Sequence, residues 1–138
     1  MKTLLKFTCA AATALLLFSA CSEKEANHVY QTGYKAQIEN TDDGKLRYDM
    51  ITSYIESVDA DYFTNKHTYF GLEADTDRAA WTDFYNSSQK IDTSKVGKLL
   101  VGGEQFHLVL YEIKGEYVSE KAMMSWVIPV RDTTAGNN

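Results

Sequence analysis

Between Gln105 and Ile113 the chain alternates with a period of two. Phe106, Leu108 and Leu110 fall on one side, and His107, Val109, Tyr111 and Ile113 on the other. The first face is uniformly apolar and the second is too greasy for bulk water, so the segment reads as a central strand covered on both faces. Lys114-Gly115-Glu116 turns the chain into a second run, Tyr117–Val130, where Ala122, Met124, Trp126, Ile128 and Val130 share a face. A run this long bends, with a bulge expected near Ser119–Lys121, and Pro129 belongs at a strand end or edge. Val96–Val101 reads as a third strand, joined to the central one through a tight turn at Gly102-Gly103. The last third is therefore an antiparallel meander.

Upstream the period changes. Thr41-Asp42-Asp43-Gly44 supplies helix caps, and Arg47/Tyr48, Ile51, Tyr54/Ile55 and Val58 then recur at helical spacing, with Leu46 and Met50 broadening the apolar face. The helix spans Lys45–Val58. Asp59-Ala60-Asp61 interrupts it, and the aromatic stretch to Leu72 reads as a short helix giving way to a strand around His67–Phe70. Asp75-Thr76-Asp77 caps another helix, ending near Gln89, in which Ala80/Trp81, Phe84/Tyr85 and Ser88 form one face. Tyr34, Ala36 and Ile38 alternate weakly and fit either a short strand or an extended tether. The order predicts an α+β domain, with two or three N-terminal helices packed on a curved antiparallel sheet.

The first residues constrain location more than fold. Lys2 and Lys6 precede a small, apolar run from Phe7 to Phe18, as in a secretory signal peptide too short to remain as a membrane span. The stretch Leu17-Phe18-Ser19-Ala20-Cys21 resembles the lipobox of bacterial lipoproteins, with Phe18 where leucine is usual. The resemblance implies removal of residues 1–20, diacylation of Cys21 and anchorage in the cell envelope. Two acyl chains hold stably where one binds marginally, at about 0.8 kcal/mol per buried methylene. Ser22 resembles the residue that directs such proteins to the outer membrane, with the periplasmic or surface face left open. Residues 21–33 then read as lipidated cysteine and flexible tether, 34–130 as one domain, and 131–138 as a frayed tail.

Removing the leader leaves 118 of the 138 residues, enough for one domain. Lys2 and Lys6 leave with it, and the formal charge moves from −5 to −7, which argues against nucleic acid as a partner. Cys9 is removed and Cys21 acylated, so no disulfide is expected. His28, His67 and His107 are dispersed and lack thiolate company, which predicts no metal site, and no motif calls for a cofactor. Gly102-Gly103 leads into a strand and so forms no phosphate cradle, and no serine sits in a nucleophile elbow.

Asp59-Ala60-Asp61-Tyr62-Phe63, Arg78-Ala79-Ala80-Trp81-Thr82-Asp83-Phe84 and Val101-Gly102-Gly103-Glu104 together resemble the NTF2-like superfamily of cone-shaped α+β domains, including polyketide-cyclase-like and ketosteroid-isomerase-like members. The resemblance covers about 80 residues, and this chain looks one strand short at its C-terminal end. It implies a pocket between sheet and helices, with Asp59, Asp61, His67, Tyr85, His107, Tyr111 and Trp126 as the groups to examine. Of these, His107, Tyr111, Trp126, Tyr85 and His67 are the candidate pocket or interface residues. Asp59 and Asp61 read first as turn residues. Three functions follow: a non-catalytic binding module for a small apolar ligand or envelope partner, an isomerase- or cyclase-type enzyme, and a structural or immunity-type interaction protein. The binding module is preferred because no constellation demands catalysis. The mixed face of the central strand predicts a cover, either a homodimer or another envelope protein.

Overall fold

The computed structural model describes residues 24–130; the leader, Cys21 and the 131–138 tail lie outside the described residues. Eight elements follow one another: β1 (Ala26–Gln37), α1 (Asp42–Val58), α2 (Ala60–Phe63), β2 (His67–Gly71), α3 (Glu73–Ser88), α4 (Thr93–Gly97), β3 (Gln105–Lys114) and β4 (Tyr117–Val127). The fold is α+β, with a four-stranded antiparallel sheet in the order β2-β1-β3-β4. Residues 29–68 and 79–130 form one compact unit, and 24–28 with 69–78 form a smaller one. In the smaller unit the first turn of α3 closes through Thr76, whose N–H donates to the Leu72 carbonyl at 3.0 Å and whose hydroxyl donates to that of Glu73 at 3.1 Å.

The larger unit is organised around β3, which pairs with β1 on one side and β4 on the other. Phe106, Leu108 and Leu110 are buried on the face that receives the helices, as their alternation predicts. Tyr48 of α1 places its ring 5.8 Å from that of Phe106, and Ile51 and Ile55 bury one and two turns further on. Thr41 caps α1 by accepting the Gly44 N–H at 3.0 Å, and Asp42 and Asp43 supply the negative first turn that the helix dipole favours. Only glycine fits at position 44, because a Cβ there would lie 1.9 Å from the Glu39 carbonyl oxygen. Leu46 and Met50 do not broaden the buried face: they are about half exposed, because the helix buries the single stripe Gly44, Arg47, Ile51 and Ile55.

Two expected elements differ. Val96–Val101 is not a strand. Asp92 accepts the Ser94 N–H and caps α4, after which Val96 and Leu100, four residues apart, both turn into the core. Gly102-Gly103 is accordingly no hairpin turn; Gly103 N–H donates to the Ile128 carbonyl and leads the chain into β3 beside β4. Secondly, β1 begins at Ala26, inside the stretch read as tether, and its Tyr30 is fully buried. Helix α3 starts at Glu73, ahead of the expected caps at Asp75–Asp77, and β4 ends at Val127, leaving Val130 exposed, whereas the turn and the bulge fall where expected. Gly115, at φ +60°, makes the β3–β4 turn, and β4 carries its bulge at Lys121, between the pairs Leu110–Ala122 and Tyr111–Glu120.

The ends of β1 and α4 and the start of β3 meet at one ion pair. Arg47 donates through Nη1 to Glu104 Oε1 at 2.6 Å and through Nη2 to Oε2 at 3.0 Å. Glu104 also accepts the backbone N–H groups of Glu39 and Val101, and Arg47 also donates to Asp43 and to the Leu99 carbonyl. Both side chains are buried. The Arg47 guanidinium holds the Glu104 carboxyl down to about 2 from 4.5, against the opposing effect of burial. Folding thus favours the ionised form: this stabilisation is complete above the unfolded value of 4.5 and is lost as pH falls towards about 2. Glu104→Gln should cost about 3–5 kcal/mol at neutral pH by leaving Arg47 buried without its counter-charge. It should also flatten the loss of stability between pH 4.5 and 2, both effects read from urea denaturation at a series of pH values.

Candidate functional site

The structure separates the candidate residues rather than gathering them. His107 and Tyr111 lie on the face of β3 away from the helices. His107 is fully engaged: Gln105 Oε1 lies 3.2 Å from Nε2 and Ser125 Oγ lies 2.7 Å from Nδ1. Because the amide oxygen only accepts, Nε2 carries the proton of the neutral ring and Nδ1 accepts from the serine. Tyr111 lays its ring over Gly33, where a Cβ would sit 2.9 Å from Cε2. Lys35 reaches across β3 to Glu120 at 2.5 Å. Val109 is fully buried, so part of the cover expected from a partner comes from the chain itself.

Trp126 is on the opposite face, 7% exposed, with its ring 6.2 Å from that of Phe106. It is a core residue. His67 stacks on Tyr62 at 4.5 Å and places Nε2 2.8 Å from the Tyr62 carbonyl oxygen. Asp59 is a clamp rather than a free base: it caps α2 and accepts from Ser87 Oγ at 2.9 Å and Lys90 Nζ at 2.7 Å. The Lys90 and Ser87 hydrogen bonds hold its carboxyl below the ordinary aspartate value. Asp61 is exposed. One tyrosine–carboxylate pair does form, with the Tyr34 hydroxyl donating to Glu56 at 3.0 Å. Burial, followed by the Glu56 charge, pushes that phenol well above its usual value, so it keeps its proton at neutral pH. Neither Tyr34 nor Glu56 lines the groove described next.

Tyr85 alone among the candidates opens onto a recess with the character of a binding site. Trp81, Phe84, Tyr85 and Ser88 of α3, with Gln89, form one wall; Lys121, Ala122, Met123 and Met124 of β4 form the other. The groove encloses about 370 Å³, within the range of small-molecule sites, and its lining is mainly apolar. The depressions beside Tyr48 and beside Gly103 are more open. Trp81 and Tyr85 stack one helical turn apart, with centroids 5.3 Å apart and planes 17° from parallel, and each ring is about half exposed. Two aromatic rings held against each other at a groove mouth form a pre-organised apolar wall.

Besides the exposed Gln89, two polar groups interrupt the lining. Ser88 is 3% exposed, and its hydroxyl is buried with no hydrogen-bond partner. Lys121, the extra residue of the bulge, holds its ammonium 3.3 Å from the fully buried carboxylate of Glu112; Lys114 stands 4.0 Å from the same oxygen. The helical spacing puts Ala80/Trp81, Phe84/Tyr85 and Ser88 on one face and makes Tyr85 a pocket candidate. Helix α3 is split: Ala80 and Phe84 turn inward, whereas Trp81 and Tyr85, one position on, turn out to the groove. Met124 shares its face with Ala122 and Trp126 as the alternation predicts, whereas the place of Lys121 on the wall depends on the bulge.

No protein-family model, no curated protein and no solved structure matches this chain. No helix among the described residues is long and apolar enough to cross a membrane. The placement of Trp126 generates a direct check. Trp126→Ala should lower stability by about 3–5 kcal/mol, measured by denaturant melts, as expected for a packed core aromatic.

Proposed function

We propose that this chain is a lipid-anchored envelope lipoprotein whose folded domain is a non-catalytic binding module, taking a small apolar ligand in the groove between α3 and β4. The observation that carries the reading is the groove itself: about 370 Å³, apolar in the main, with the exposed Trp81–Tyr85 stack on its wall. The engagement of Asp59 and His107 by neighbouring side chains supports a binding role over an isomerase- or cyclase-type one, because a general base needs a free position facing its substrate. An NTF2-like cone is the fold-level part of this proposal, and the bulge that bends β4 supports it.

The anchor and the groove are tested separately. Cys21→Ser should abolish incorporation of labelled palmitate in a bacterial host and release the protein from membranes; unchanged labelling would overturn the lipoprotein reading. For the groove, titration with a neutral naphthalene fluorophore should quench tryptophan emission and raise probe emission. Trp81→Ala should weaken that binding by at least about tenfold, the loss of an aromatic contact from a small site. A probe that binds wild type and Trp81→Ala equally would place the ligand elsewhere.

A further inference from the structure

Resting on the reading of the α3–β4 groove as a binding site, we infer that its ligand is a flat, uncharged molecule carrying a hydrogen-bond acceptor, such as a carbonyl oxygen, that takes the proton of Ser88. Three observations converge. The paired rings of Trp81 and Tyr85, nearly parallel and half exposed, favour a planar apolar body. The thioether of Met124 on the other wall is polarizable and adapts to ring edges.

The charges argue for neutrality. Lys121 is the cation on the groove wall, and its ammonium is already placed 3.3 Å from the Glu112 carboxylate, which is fully buried. An anionic ligand drawn to Lys121 would approach that carboxylate as well, and a cationic one would meet the ammonium first. Lys114, half exposed and 4.0 Å from Glu112, is largely screened by solvent. A neutral ligand disturbs none of these groups.

Ser88 supplies the specificity. It lines the groove, yet its hydroxyl is shielded from solvent and makes no hydrogen bond, although a serine in the last turn of a helix has a carbonyl available four residues back, here that of Phe84. A buried hydroxyl without a partner destabilises the empty protein and rewards any acceptor that reaches it. Met124, unbranched and facing α3 across the groove, is the wall residue able to yield to such an atom.

The test uses the full chain with three probes: Prodan, a neutral naphthalene ketone; its analogue with the carbonyl reduced to methylene; and the anion anilinonaphthalene sulfonate. Only binding lost in Trp81→Ala counts as groove binding. Ser88→Ala should weaken Prodan about three- to tenfold while leaving the methylene analogue unchanged, the range expected for one neutral hydrogen bond. Its melting temperature without probe should equal or exceed that of wild type, since the lost hydroxyl had no partner. Equal effects on Prodan and the analogue, tighter groove binding of the sulfonate than of Prodan, or a lowered melting temperature would each overturn the inference while leaving the groove intact. Failure of all three probes to bind in a Trp81-dependent manner would overturn the underlying reading instead.

Discussion

The Arg47–Glu104 pair is the interaction on which the larger unit depends. Taking two charges out of water is costly, and the attraction between them offsets that cost only when every remaining donor and acceptor is met. Here each carboxylate oxygen receives one guanidinium N–H and one backbone N–H, while the guanidinium also reaches Asp43 and the Leu99 carbonyl. The planar arginine fork matches a carboxylate in a way lysine does not. The consequence is positional. One ion pair ties together α1, the loop after β1, the chain leaving α4 and the entry to β3.

The register of β4 against β3 has to be corrected once. Ser119 stands opposite Glu112, and Ala122, Met124 and Trp126 stand opposite Leu110, Leu108 and Phe106. Odd positions face the helices on one side of the bulge and even positions on the other. Without the extra residue, a strict alternation from Ser119 would turn Trp126 to the open face and bury Met123 and Ser125 in its place. Lys121 absorbs the change of parity. Its side chain then comes to Glu112, so a single backbone irregularity keeps the tryptophan in the core and also places an ammonium on the groove wall.

Much of this fold is legible in the sequence because it follows local periodicity. The β3 alternation, the Gly115 turn, the bulge, the body of α1 and the short helix before β2 all follow from spacing within a dozen residues. Val96–Val101 reads as a strand because six apolar-rich residues beside two glycines satisfy a strand pattern as well as a helical one; the distinguishing cue is Asp92, which caps α4. Tyr30 falls in the stretch read as tether because its strand forms by pairing with β3, more than 80 positions away. The groove was half visible. Trp81, Tyr85 and Ser88 had the spacing, but which of two adjacent positions turns inward depends on the orientation of α3 over the sheet, and periodicity alone does not fix that angle.

The two faces of the sheet are closed by different means. On the open face, Gly33 leaves a gap beside Val109 that the Tyr111 ring fills, and the Lys35–Glu120 pair spans the same strand. Val109 is withdrawn from water there, whereas Val118, Met123 and Val127 on the same face stay about half exposed. At the groove, Trp81 and Tyr85 are each close to half exposed, and aromatic rings kept at a concave surface retain most of their burial energy for whatever enters. Glycine on β1 lets the Tyr111 ring cover the sheet around Val109, whereas the bulge on β4 bends the edge strand beside α3, where the groove remains open.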